Sequence, residues 1–143
     1  MPGVSSSLGN HHVGAISELQ VACRLLELGH KLAKPLFDDD GVDLIANYRT
    51  TVQVKGSRNG TSTNGGPKFH IFTTKWKFAD LFVFHGISID TAPDDFWIVP
   101  GRVVEDELSS QKRDTDCALA LRRGARGRSE RWEQYIDAWH LFD

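Results

Sequence analysis

The chain has 143 residues and 16.0 kDa, with 40% apolar and 10% aromatic residues, enough to bury one core of ordinary domain size. A net charge of −2 and an isoelectric point near 6.3 exclude a protein that is basic all over, so any nucleic-acid contact must be a local patch. Two cysteines without ligand spacing exclude a disulfide framework and fit reduced thiols, and no run approaches the roughly 20 apolar residues of a membrane span.

The opening MPGVSSSLGN has neither a basic nor an apolar signal region, which predicts a cytoplasmic protein with a flexible tail over 1–12 and one domain over 13–143. From Val13 the run VGAISELQVACRLLELG carries apolar residues at helical spacing, with Gly29 as its stop. HKLAKPLF follows as a short extended segment that Pro35 confines to an edge or a strand end, and DDDG is a turn by composition. VDLIA and TVQVK read as strands, and the short link NYRT makes them an antiparallel hairpin although it lacks the Asn-Gly or Asp-Gly signature.

GSRNGTSTNGGPK, over 56–68, has the composition of a mobile loop. FHIFTT, DLFVFHG and DFWIVP are further strands, the second apolar enough to be buried on both faces, with TTKWKFA as a helical turn between the first two. GRVVEDELSS reads as a short helix, QKRDTD as a loop, and SERWEQYIDAWHLF as a C-terminal helix capped by Ser129. The order predicts an α/β fold: a mixed central β-sheet flanked by helices.

Side chains on a strand alternate between faces, so Gln53 and Lys55 share one face while Val52 and Val54 take the other. If Asp43 lies opposite Lys55 and Ile45 opposite Gln53, then Asp43, Gln53 and Lys55 form one polar cluster. A carboxylate and an amide oxygen beside a lysine suit a hard cation such as Mg²⁺, with the lysine stabilising hydroxide or a charged phosphoryl transition state. Glu18 interrupts a helical stripe of Ala15, Ala22, Leu25 and Gly29, and a carboxylate in such a contact needs a cation or a lysine as partner. Simpler readings stand beside these: Asp43 capping a turn, Lys55 on a solvated strand face and Glu18 reaching past the helix rim to water.

Taken together, GAISELQVACRLLELGHKL, GVDLIA and VQVKGS resemble the small nucleases of the PD-(D/E)XK, or restriction-endonuclease-like, superfamily. The resemblance covers residues 13 to 56 and implies that Glu18, Asp43, Gln53 and Lys55 form the catalytic set. It also implies that Asp43, Gln53, Glu18 and the Val54 carbonyl hold Mg²⁺, with Mn²⁺ as a substitute. Gln53 departs from the usual Asp or Glu. A Gln-X-K form occurs in small homing endonucleases encoded in group I introns, whereas Holliday junction resolvases share the layout but carry Glu. The implied activity is endonucleolytic cleavage of double-stranded or branched DNA. The alternative is a catalytically inactive DNA-binding or protein-interaction module that keeps the nuclease fold.

Asp38, Asp39 and Asp40 fit turn chemistry, the pair Asp94 and Asp95 lacks a following X-K strand, and His11 and His12 fit a tail. Phosphate contact falls to Arg58 and Lys68 in the loop, to Lys75 and Lys77 around Trp76, or to the run Arg122, Arg123, Arg126 and Arg128, which equally fits a solvated loop. Trp132, Tyr135, Ile136 and Trp139 fall on one helical stripe of core or interface type. An enzyme that cuts two strands with one site per chain implies a homo-oligomer, a dimer or tetramer.

Overall fold

The computed structural model describes residues 9–36, 41–63, 65–71, 79–111 and 117–143. The first helix, α1, runs Asn10–Glu27, so His11 and His12 lie on its first turn and not in a tail. It buries Val13, Ser17, Val21 and Leu25, each four residues from the last, while Glu18 and Ala22 flank this stripe half-buried and Ala15 is exposed. Gly29 ends it as expected: at φ 90 it donates to the Leu26 carbonyl, and the His30 N–H donates to that of Leu25. This pair of bonds satisfies two carbonyls of the last turn and requires a left-handed residue, which glycine supplies without strain.

Strands β1 (Leu32–Ala33), β2 (Leu44–Ala46) and β3 (Thr50–Arg58) follow, then β4 (Lys68–Ile71), β5 (Leu81–Ile87), β6 (Asp95–Pro100), helix α2 (Gly101–Ser110) and β7 (Cys117–Ala120). The main sheet has the order β1-β2-β3-β5-β6, with β3 and β5 parallel and every other pair antiparallel. It is the mixed central sheet that the element order predicts. β1 is an edge strand, in keeping with Pro35 just beyond it. β4 and β7 form a separate antiparallel ribbon. The strand read from FHIFTT therefore lies outside the central sheet, and its partner, β7, was not foreseen. Asp38, Asp39, Asp40, Lys75, Trp76 and Lys77 lie outside the described residues.

β5 is buried along its whole length, and the parity of its side chains divides the interior into two cores. Leu81 and Val83 join Val52, Leu44, Ala46 and Ile98 beneath Val21 and Leu25 of α1. Phe82 and Phe84 join Trp97 and Val99 on the other face, under the β4–β7 ribbon and α2. This two-sided arrangement explains the correction at the C-terminal segment. A straight helix would put Trp132 and Trp139 on one side, yet Trp132 belongs to the core on the ribbon side and Trp139 to the core beneath α1. The chain instead forms two short 3-10 helices, Gly127–Tyr135 and Trp139–Phe142. It turns between them at Asp137, φ 52, after Ile136 bridges to Trp97. Ser129 caps nothing, because the segment begins after Arg126.

The β2–β3 turn is tight, with Asn47 at φ 55, Tyr48 at φ 63 and the Arg49 N–H donating to the Ala46 carbonyl at 3.2 Å. Two successive positive φ values match the twist of a hairpin. Asn47 tolerates its own because its side chain is held in place: Oδ1 accepts the Lys31 N–H at 3.1 Å and Nδ2 lies 3.0 Å from His30 Nδ1. Among the described residues no helix is long and apolar enough to cross a membrane.

Candidate active site

The hairpin register pairs Leu44 with Val52, Ile45 with Thr51 and Ala46 with Thr50. The expected pairing of Ile45 with Gln53 is thus displaced by two residues, an even step that keeps every side chain on its predicted face. Asp43 stands at the foot of β2. Its N–H donates to the Val52 carbonyl at 2.8 Å, and its carboxylate accepts the N–H of Val54 at 2.7 Å. A side-chain oxygen here takes the Val54 N–H that a continuing β2 would have bonded through its backbone. Because the N–H and C=O of a strand residue point to the same side, the Val54 carbonyl also points toward Asp43.

Gln53 and Lys55 lie beside Phe82 and Phe84 in the parallel ladder, on the face away from α1. Both are half-buried, and among the described residues neither side chain makes a hydrogen bond or an ion pair. Burial pushes the Lys55 ammonium down from the ordinary lysine range, against the opposing pull of Asp43. Burial also pushes the Asp43 carboxyl up. The Val54 N–H opposes that shift, the charge of Glu18 adds to it, and Lys55 and Lys34 oppose it more weakly. Glu18, on α1, is held by Lys34 Nζ at 2.6 Å. Asp43 therefore feels the charges of both Glu18 and Lys55.

These shifts have a consequence for stability. A carboxyl raised in the folded state destabilises the fold wherever it is ionised, and that penalty disappears as the pH falls below the ordinary aspartate range. Asp43→Asn keeps an oxygen for the Val54 N–H and removes the charge. It is expected to melt at a higher temperature than wild type at pH 7, with the difference shrinking in mild acid; thermal scans across pH measure this.

Beyond Val52 no described strand pairs with the outer side of β3. A cleft of about 510 Å³ opens along that edge, bounded by Gly14 of α1 and lined by Lys55, Arg58, Lys68 and His70. Thr61 fastens the connecting loop over it. Its hydroxyl accepts the Lys68 N–H at 2.8 Å and donates to the Arg58 carbonyl at 3.0 Å, and Ser62 Oγ donates to the Gly66 carbonyl at 2.8 Å. The segment expected to be a mobile loop is in this respect a stitched turn. Arg58 and Lys68 thus line the same cleft as Lys55.

The other candidates fall elsewhere. Asp94 accepts hydrogen bonds from His85 and from the Ser88 N–H, and Asp95 pairs with Arg123 at 2.9 Å, so both carboxylates have protein partners of their own. Arg123 also reaches Asp137, which takes it out of any free basic run. Among the described residues no three His, Cys, Asp or Glu side chains gather as a metal cluster. A cation at Asp43 would have to draw on Glu18 together with amide and peptide oxygens.

No family model and no curated protein matches the chain. Among solved structures, that of a bacterial homing endonuclease superposes with a TM-score of 0.64 at 23% sequence identity, covering 93% of this chain and 90% of that one. The fold is similar to a homing endonuclease's. Within this homing-endonuclease-like frame, two features escaped the sequence reading. His70 alternates with Phe69 and Ile71 on β4, and that alternation was the available sign that it faces outward into the cleft. Ser17 sits on the buried stripe of α1, where a polar residue four positions from two valines signals a buried partner.

Proposed function

We propose that the protein is a divalent-metal-dependent endodeoxyribonuclease of the PD-(D/E)XK type in its Gln-X-K form, acting on duplex or branched DNA as a homo-oligomer. The observation that carries this reading is the hydrogen bond from the Val54 N–H to the Asp43 carboxylate. It ties the acid to the strand that presents Gln53 and Lys55, and Val54 and Lys55 line a basic cleft.

The donor set fits Mg²⁺. Asp43 is disfavoured as an anion by burial and by the charge of Glu18, a condition that a cation relieves, and the Gln53 amide has an oxygen to give. Asp43, Glu18, Gln53 and the Val54 carbonyl would hold the ion, with Gln53 contributing its carbonyl dipole without a formal charge. When bound, the ion supplies Lewis-acid polarisation of a phosphate oxygen and lowers the pKa of coordinated water. Lys55, beside them, donates hydrogen bonds to the attacking water or to the phosphate oxygen that gains charge. Arg58 and Lys68 bind the backbone of the same strand. One such site per chain cuts one strand, so double-strand cleavage calls for two chains.

Supercoiled plasmid and branched DNA incubated with Mg²⁺ or Mn²⁺ test the reading: nicked or linear product is expected, and none with chelator. An inert protein that still binds DNA but shows no Mn²⁺ isotherm would instead be the inactive module. Removing Arg58 and Lys68 together is expected to weaken DNA binding uniformly across sequences and to lower the slope of log K against log salt by about 1 per lost phosphate contact, measured by fluorescence anisotropy.

A further inference from the structure

Ser17, His85 and Asp94 form a hydrogen-bonded chain with no part in the chemistry above. His85 is fully buried in β5, its Nδ1 lies 2.8 Å from Ser17 Oγ and its Nε2 lies 2.7 Å from Asp94 Oδ2. The order resembles a nucleophile with its base, but Ser17 has no exposed surface, so no substrate reaches it. The proton positions follow from the partners. With Nε2 donating to the Asp94 carboxylate, Nδ1 is the acceptor for the Ser17 hydroxyl. Asp94 is fixed in turn by the Ser88 N–H at 2.9 Å, and the imidazole is stacked flat on Phe96, centroids 4.5 Å apart and planes within 2°. The ring cannot turn away without leaving a buried hydroxyl unpaired.

This chain ties α1 to β5, next to the place where α1 lies on β3. Ser17 rests directly on Gly56, the residue after Lys55, and it precedes Glu18 on the helix. We propose that Ser17, His85 and Asp94 are positioning residues that fix the height and rotation of α1 over β3, and thereby the place of Glu18 relative to Asp43 and Lys55. A helix packed only by Val13, Val21 and Leu25 has apolar contacts that tolerate sliding, whereas one directional hydrogen bond to a clamped ring does not. The inference rests on the reading of Asp43 and Glu18 as metal-site groups.

The test is calorimetric titration of the full chain with Mn²⁺ alone, taking the part of the isotherm that Asp43→Ala removes, with melting temperatures measured in parallel. Ser17→Ala is expected to weaken that binding by about tenfold, the usual scale for groups that orient a ligand. His85→Phe keeps the ring and its stack on Phe96 but loses both nitrogens, and should weaken binding as much. Val21→Ala loosens the same helix contact without touching the chain; it should lower the melting temperature and leave Mn²⁺ affinity unchanged. Should Ser17→Ala and His85→Phe bind Mn²⁺ as tightly as wild type, or Val21→Ala bind as weakly as they do, the positioning role is overturned and the metal-site reading stands. A wild-type protein with no Asp43-dependent binding overturns both.

Discussion

Asp43→Ala and Lys55→Ala are each expected to lose cleavage of plasmid DNA by about a thousandfold or more, the scale on which a metal ligand or a group facing developing charge acts. The two losses should differ in kind. Asp43 is tied to Val54 and feels the charge of Glu18, so in the proposed site its removal should abolish Mn²⁺ binding. In the proposed mechanism Lys55 acts on the phosphate or the water, so its removal should leave Mn²⁺ binding intact, or tighten it slightly by removing a nearby positive charge, while turnover collapses. Lys55→Arg restores the charge but not the fit in a half-buried slot beside Phe84, and should recover little. Single-turnover cleavage set beside calorimetry separates these outcomes; wild type and both variants equally inert would remove the enzymatic reading, and equal activity of all three would remove the assignment of Asp43 and Lys55.

Gly56→Ala is expected to be the most damaging single methyl group near the site. A Cβ built there falls well inside contact distance of Ser17 Oγ, 2.9 Å from Ser17 Cβ and 3.2 Å from Val13 Cγ1. The neighbours are the buried face of a helix and cannot swing aside, so α1 must lift from β3. Overpacking of this kind costs about 1–3 kcal/mol, which in a domain of this size lowers the melting temperature by several degrees. Activity should fall further than stability, because the displaced helix carries Glu18. Ser17→Ala should have opposite signs in the two backgrounds: destabilising alone, where it leaves His85 Nδ1 unpaired, and partly restorative beside Gly56→Ala, where it removes the hydroxyl that clashes. Thermal melts of the four proteins close that cycle.

Much of the site was legible because the clues are local. Strand parity alone puts Gln53 and Lys55 on one face, and it survives a register error of two residues, which is why the displaced Ile45 pairing did no harm. Helical spacing located α1 and Gly29 ended it. The features that were missed depend on contacts distant in sequence. β7 has four residues, and among the described residues its one strand partner is β4. The C-terminal segment has the spacing of one helix, yet it breaks because Trp132 and Trp139 are claimed by cores on opposite faces of β5. Local periodicity cannot register that conflict. Ser17 and Asp94 owe their roles to His85, which lies 68 residues from the first and 9 from the second.

The open side of β3 has a further meaning for the protein when no DNA is bound. A strand edge in solution is a template on which another chain can lay itself, and proteins blunt such edges with charge. Arg58 lies at the end of β3 and Lys68 across the cleft on β4, so a strand approaching this edge meets positive charge. In the proposed function the groups that would draw in a phosphate backbone therefore also guard this one edge against strand addition, and concentrated salt, which screens both effects, should weaken DNA binding and favour pairing through that edge.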